Sequence, residues 1–515
     1  MAKIMTAAQA VKTYIQDGST VTFGGFAHGL MHPEEIMAAL EEAALSGHPK
    51  DLTVLFASGQ GDSATRGLNH LGVEGLCKKV IGGHWGLAPR LGKLAAENKL
   101  AAYNLPQGVI AQLFREIAAG RPGLITHVGL ETFVDPRIEG GRLNQAAEAE
   151  DVVKLIEFAG EEKLFYHAIP IDVAVIRASY ADTKGNCTFE KEGVYAEALA
   201  QAQAARNSGG VVIVQVEKVV EYGSLDARLI RIPGIYVDAI VVACPKNHMQ
   251  TFGTQYNPAL SGEIRVPVDA LKPLPMGERK IIARRAAMEL VPDAITNLGI
   301  GMPEGVASVA AEEGLQGIVL TTEVGAVGGV PAGGMDFGAA TNVDCILDQP
   351  TQFDYYDGGG LDVAFLGLAQ MDRTGNINVS KFGPKVTGAG GFINISQNAK
   401  KVVYCGTFTA SGLRLACEGG SLKILQEGKV KKLVPAVEQI TFSGSYAAKH
   451  GQSVLYVTER AVFELTPEGV ELKEIAPGVD LQKDVLDQMD FVPVIKDVKC
   501  MDARIFRDEP MCLIS

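Results

Sequence analysis

The chain has 515 residues, 47% of them hydrophobic and 6% aromatic, which is enough apolar material for more than one sizeable core. Its 60 acidic residues outnumber the 47 lysines and arginines and leave a net charge of −13, so the basic footprint that nucleic-acid binding requires is missing. No run of eighteen apolar residues predicts a membrane span, the amphipathic start lacks the apolar core of a cleaved leader, and the eight scattered cysteines form no C-x-x-C pair, a usage expected of a reduced, cytoplasmic protein rather than of a disulfide framework or zinc site.

Short apolar runs alternate with amphipathic helical patterns from the start. Residues 21–26 (VTFGGF), 51–58 (DLTVLFAS) and 78–83 (KKVIGG) read as strands, and 33–45 and 108–120 as helices. In the second of these helices Ile110, Leu113, Phe114 and Ile117 fall on one face. Residues 244–277 contain several prolines and no helical period, and are expected to be a linker. After it, 278–290 reads as a helix, and 294–301 and 317–323 contain strands. Residues 453–475 alternate like antiparallel strands turning at Pro467-Glu468-Gly469.

The two halves resemble each other. IDVAVIRASYADTKGN (171–186) and LDVAFLGLAQMDRTGN (361–376) share D-V-A, an aspartate and G-N at the same internal spacing, and STVTFGGF (19–26) parallels AITNLGIG (294–301). The first pair is offset by 190 residues and the second by more, so the first half carries roughly eighty additional residues between its matching segments. The expected fold class is α/β: two homologous open α/β domains, 1–243 and 278–515, joined by the linker at 244–277.

One acid stands out. Glu323 follows the strand GIVL (317–320) and enters a loop crowded with glycine, LTTEVGAVGGVPAGGMDFGAATN (320–342). In open α/β sheets the carboxyl ends of strands are where ligands bind, and glycines behind such a residue let a substrate approach closely. The residue types alone leave open a nucleophile, a general base, a metal ligand or an inert loop carboxylate. A metal would need further ligands, and the neighbourhood offers only Asp336, Asp344 and Asp348.

Other motifs are weaker. Gly59-x-Gly61-x-x-Ala64 follows a strand as in a dinucleotide fingerprint, but the acid about twenty residues on is missing. His28 and His32 are four apart, yet Pro33 follows at once and no third ligand is apparent, so loop polarity accounts for them better than a metal pair. Three glycine loops, 297–303, 357–362 and 385–396, offer unobstructed N–H groups, the last near Lys381 and Lys385. The terminal CLIS fits a prenylation pattern without any polybasic support.

TTEVGAVGGVPAGGMDFGAATNVDCILDQPTQFDYYDGGGLDVAFLGLAQMDRTGNINVSKFG, with IGGHWGLAPRLGKLAAENKLAAYNLPQG, GSLDARLIRIPGIYVDAIVVA and EIAPGVDLQKDVLDQMDF, resembles the family I CoA-transferases over essentially the whole chain. The likeness is greatest to their single-chain propionate and acetate branch, which fuses two subunits. The resemblance implies that Glu323 is a nucleophile. A ping-pong reaction would then pass through an acyl-glutamyl anhydride and a glutamyl-CoA thioester. It implies that Gln107, in NLPQG and contributed by the other domain, polarises the reacting carbonyl. It implies contacts to CoA or the acyl group from Gly299, Gly301, Gly388, Gly390, Gly391 and Lys385. No metal and no resident cofactor are implied, since coenzyme A is itself a substrate. The implied partners are acyl-CoA, short-chain carboxylic acids and further copies of the chain in a dimer or tetramer. A hydrolase of acyl-CoA on the same fold is the alternative.

Overall fold

The computed structural model describes residues 2–267 and 273–513; Ile514 and Ser515 of the CLIS terminus lie outside them. The chain divides into two compact units. The first comprises Met1–Val266, Thr322–Tyr355 and Phe382–Asn394, and the second comprises Pro267–Thr321, Tyr356–Lys381 and Ile395–Ser515. This division differs from the expected one in two ways. Residues 244–266 pack within the first unit, with His248, Gln250, Thr251, Ala259 and Leu260 buried, because this stretch carries apolar and hydrogen-bonded side chains that a solvated connector would not. Residues 322–355 and 382–394, which the expected boundaries put with the C-terminal half, belong to the first unit as well.

The first unit is built on an eight-stranded sheet in the order Lys3–Met5, Ala239–Val242, Val211–Val216, Val173–Arg177, Thr20–Phe23, Leu52–Phe56, Cys77–Gly82, Ala101–Asn104. Every pairing is parallel. The central strands read as continuous apolar runs because both faces are covered; every residue of Leu52–Phe56 and of Val173–Arg177 is buried. Helix Gln107–Ala118 presents Ile110, Leu113, Phe114 and Ile117 to the interior, the face its period predicts. Helix Ala198–Asn207 packs against it through small residues, Ala198, Ala202, Ala204 and Ala205 among them.

The second unit carries a sheet ordered Val319–Thr321, Ile295–Leu298, Val363–Gly367, Lys401–Cys405, Ser453–Val457, Ala461–Thr466, Gly469–Ile475, Val494–Cys500. Its first five strands are parallel, and the next two form the antiparallel meander expected of 453–475. The five parallel strands match, in order, Leu52–Phe56, Thr20–Phe23, Val173–Arg177, Val211–Val216 and Ala239–Val242 of the first unit.

The repeated aspartates explain why the match is visible in the sequence. In the first unit Asp172 Oδ2 accepts from the Thr20 N–H at 2.8 Å and its own N–H donates to the Thr20 carbonyl. In the second, Asp362 makes the same pair of bonds with Ile295, the side-chain one at 2.9 Å. Ten residues on, Asp182 Oδ1 accepts from the N–H groups of Lys184 and Asn186, and Asp372 Oδ1 from those of Thr374 and Asn376. Each turn closes on a glycine of positive φ, Gly185 or Gly375. The repeat is therefore a strand clip followed by a turn, used once in each sheet.

Candidate functional site

The first sheet has a topological switch. From Thr20–Phe23 the chain steps outward through Leu52–Phe56, Cys77–Gly82 and Ala101–Asn104, then returns on the other side of Thr20–Phe23 as Val173–Arg177. The crevice beyond the carboxyl ends of such strands is where open α/β sheets bind ligands. Onto this edge emerge Gly24-Gly25, Ser58-Gly59-Gln60, Gly83-His84 and Leu105-Pro106-Gln107.

Gln107 opens its helix and is 2% exposed. Its N–H donates to the Gly390 carbonyl at 3.0 Å, while its Nε2 is buried with no hydrogen-bond partner among the described residues. The loop carrying Gly390 is stitched along the same edge. The Gly390 N–H donates to the Gly83 carbonyl at 2.7 Å, the Ala389 N–H to Asn104 Oδ1 at 2.9 Å, and the Trp85 and Gly86 N–H groups to the Thr387 carbonyl. Asn104 Nδ2 in turn donates to the carbonyls of Gly82 and Gly83. A Cβ on Gly388 would stand 3.0 Å from His84 Cα, and one on Gly390 would lie 3.6 Å from both Gln107 Oε1 and His84 Cδ2. Gln107, Gly388 and Gly390 are thus brought together, with Gly391 buried next in line and Lys385 exposed. His84 joins them. Its Nδ1 is buried without a partner among the described residues, and burial lowers its pKa to about 4, which keeps the imidazole neutral at neutral pH.

Glu323 is half-buried in the turn that follows strand Val319–Thr321. The Thr322 carbonyl accepts from the Gly325 N–H at 3.0 Å, and Thr322 Oγ1 accepts from the Ala326 N–H at 3.2 Å. A hairpin follows, in which Ala326–Val327 pairs with Cys345–Ile346 and Val330–Pro331 with Ala340–Thr341, both antiparallel. Here the glycines have a structural purpose that sequence reasoning did not supply. A Cβ on Gly325, at φ +117°, would fall 2.0 Å from the Leu347 carbonyl oxygen; on Gly328 it would meet the Asp344 carboxylate, and on Gly329 the Thr341 carbonyl. These residues let the two limbs of the hairpin close on each other, whereas Gly333 and Gly334 face open space.

The hairpin is tied to the same edge of the first sheet. Phe337 stacks on Phe26, ring centroids 6.0 Å apart. Gln349 and Ser58 hydrogen-bond side chain to side chain at 3.0 Å, and the Gln349 N–H donates to the Ala196 carbonyl. Glu323 and Gln107 therefore belong to one compact unit, where contributions from separate domains were expected. Gly299 and Gly301 lie in the second unit, just after Ile295–Leu298. The Gly299 N–H donates to Phe365, and the Gly301 carbonyl accepts from Arg279.

His28 hydrogen-bonds the Gly61 carbonyl, and His32 is buried edge-on to Phe252, its pKa pushed down to about 3 by burial. Among the described residues no group of three or more His, Cys, Asp or Glu could hold a metal, and no helix is long and apolar enough to cross a membrane. His84, Ser58, Asn104 and Gln349 were not anticipated from sequence. The one available signal was the glycine pair before His84 at a strand end.

A family model described as coenzyme A transferase matches residues 4–243. Over 99% of its length the chain is 51% identical to a caffeate CoA-transferase of Acetobacterium woodii, covering 98% of that protein. Over 99% of its length it is also 45% identical to an acetate CoA-transferase of Escherichia coli strain K12, covering 96% of it. A crystal structure of an acyl-CoA transferase from E. coli O157:H7, a thioester complex with CoA, matches 100% of this chain and 98% of its own, at a TM-score of 0.94 and 44% identity. The chain belongs to the coenzyme A transferase family and is a CoA-transferase.

Proposed function

We propose that this enzyme moves CoA between short-chain acyl-CoAs and carboxylates such as acetate and propionate, with Glu323 as nucleophile. The Glu323 carboxylate adds to the thioester carbonyl and expels CoA thiolate, giving an acyl-glutamyl anhydride. The thiolate then attacks the glutamyl carbonyl, releasing the first acid and leaving a glutamyl-CoA thioester. An incoming carboxylate reverses both steps and departs as the new acyl-CoA. Thioester energy is conserved throughout, so no metal or resident cofactor enters.

The observation that carries this reading is the half-buried carboxylate of Glu323 on a hairpin fixed to the sheet edge, in the same unit as Gln107 with its buried, unpartnered Nε2. An amide N–H held there suits an oxyanion developing at the reacting carbonyl. We assign Gly388, Gly390 and Gly391, with Gly299, Gly301 and Lys385, to contacts with CoA or the acyl group. The thioester complex with CoA described for the E. coli O157:H7 relative supports the covalent route. The eight cysteines are free thiols, which supports placing the reaction in the cytoplasm.

The test is peptide mass spectrometry after incubation with acetyl-CoA and no acceptor. A CoA adduct on Glu323, discharged by propionate as propionyl-CoA forms, is expected, with Glu323→Gln giving no adduct and at least about 10³-fold less transfer. Borohydride should reduce the thioester and end activity. Steady CoA release with no adduct would mean hydrolysis and overturn the transferase route. A second reading, aromatic acids as acceptors, is favoured by the 51% identity to the caffeate enzyme; comparing kcat/KM for acetate and caffeate decides between them.

A further inference from the structure

The nucleophile assigned to Glu323 and the amide assigned to Gln107 stand on different elements, so the reaction needs their separation held closely: a displacement of about 1 Å can cost 10²-fold in rate. Within the first unit one short stretch, residues 347–354, is bonded to both elements.

At its start the stretch holds the Glu323 turn. That turn is closed by the Thr322 N–H donating to the Ala326 carbonyl at 2.9 Å and the Gly325 N–H to the Thr322 carbonyl at 3.0 Å. It is fastened to Leu347, whose N–H donates to the Gly325 carbonyl at 2.8 Å. At its end the stretch holds helix Gln107–Ala118. Phe353 is fully buried against Gly108, where a Cβ would fall 2.5 Å from Phe353 Cδ1. Asp354 Oδ1 accepts from Gln112 Nε2 at 3.1 Å and from Arg115. Since Gly108 follows Gln107 in the chain, Phe353 bears on the backbone that carries the catalytic amide.

Between these two grips lies Gln349. Its N–H donates to the Ala196 carbonyl at 2.9 Å. Its Nε2 donates to Ser58 Oγ at 3.0 Å, and its Oε1 lies 3.3 Å from the same hydroxyl. Both side chains are 0% exposed. Ser58 lies beyond the end of Leu52–Phe56 and beside Gly59, where a Cβ would fall 2.4 Å from His84 Nδ1. The pair therefore pins the stretch to the strand end that also packs on His84, the neighbour of Gln107 across Gly390. Burying an amide costs desolvation that a methionine or leucine of similar size would avoid. What the amide adds is direction: its hydrogen bond fixes both the height and the rotation of the segment that carries it.

We propose that Gln349, acting through Ser58, is a positioning residue for CoA transfer that sets the distance between the Glu323 carboxylate and the Gln107 amide. The inference rests on the reading of Glu323 as nucleophile.

The test is rapid-quench mass spectrometry of the Glu323 adduct over a range of acetyl-CoA concentrations. Gln349→Met keeps the volume and removes the amide; Ser58→Ala removes one buried oxygen and guards against a Gln349 variant that fails to fold. Each should lower the maximal rate of adduct formation by about 10²-fold, with the acetyl-CoA concentration for half-maximal rate within about threefold of wild type. The double variant should fall no further than either single one, because the two side chains act as a unit. Thr251→Val is the control. It removes a different tie of the same hairpin, the Thr251 hydroxyl to Asp336, and should lower the melting temperature while the maximal rate stays within about twofold. An unchanged maximal rate in Gln349→Met and Ser58→Ala would overturn the proposal, as would an equal loss in Thr251→Val, which would make the effect one of general loosening. If wild type itself forms no adduct on Glu323, the nucleophile assignment fails and this inference with it; an adduct that forms as fast in the variants removes the inference alone.

Discussion

At the scale of single residues, the glycines around Glu323 are the most informative. Their abundance was legible in the sequence, but their reason was not, because it depends on which backbone passes opposite. Gly325 has φ +117° and faces the Leu347 carbonyl at a distance no Cβ tolerates. Gly325→Ala should therefore destabilise the first unit by about 3 kcal/mol or more and disturb the turn that holds Glu323. Gly333→Ala, at φ −109° with nothing within 4 Å, should leave melting temperature and transfer rate unchanged; equal effects of the two would refute this account. Glu197 is a second case. It is buried, Oε1 accepts from Gln201 at 3.2 Å, and burial raises its pKa from 4.5 to about 8. A folded carboxyl that holds its proton to about pH 8, against about 4.5 when unfolded, favours the fold at low pH; that contribution is lost as pH rises from 4.5 through 8. Glu197→Gln should flatten the fall in stability across this window, which denaturant titrations at pH 5, 6.5 and 8 would measure.

At the scale of elements, helix periods were readable and the ties between elements were not. Helix Glu34–Leu45 buries Ile36, Met37 and Leu40 as its pattern implies, yet it is locked by charges. His70, in the turn Leu68–Leu71, hydrogen-bonds Glu34 at 3.0 Å and Glu41 at 2.5 Å, and Arg66 and the Gly67 N–H also bind Glu34. These partners overcome the burial that would raise the Glu34 pKa and bring it down to about 2, while the two carboxylates raise that of His70 despite its own burial. A depressed carboxylate stabilises above about pH 4.5, a contribution lost as pH falls through about 2. A raised histidine stabilises below 6.5, and its contribution is lost as pH climbs through the raised value. The clamp is complete between pH 4.5 and 6.5. Glu34→Gln should cost about 3 kcal/mol in that window, with the gap to wild type shrinking towards pH 2 and in part at alkaline pH. A gap independent of pH would show that the loss is one of packing.

At the scale of the whole molecule, the repeat was the strongest fold signal because its residues act locally: an aspartate clipping the adjacent strand, then an Asp-x-x-Gly-Asn turn. Such bonds recur wherever the sequence recurs. The contribution of 322–355 to the first unit was hidden because it rests on Phe26–Phe337 and Ser58–Gln349, pairs separated by about three hundred positions with no local pattern to announce them. Glu323 was found through its place at a strand end and through family resemblance, whereas His84, a lone histidine among glycines, left no periodic trace. If the clip-and-turn is one device used twice, equivalent substitutions must behave alike in their own surroundings. Asp182 and Asp372 are both buried, and each accepts from two backbone N–H groups of its own turn and one asparagine side chain, Asp372 accepting in addition from the Thr374 hydroxyl and the Val437 N–H. Asp182→Ala and Asp372→Ala should each leave those donors unpaired at a cost of about 2 kcal/mol. Hydrogen-exchange mass spectrometry should then record faster exchange confined to residues 180–190 in one variant and 370–380 in the other. Exchange that accelerated in both segments in either variant would mean that the two turns are coupled rather than two separate uses of the same local chemistry.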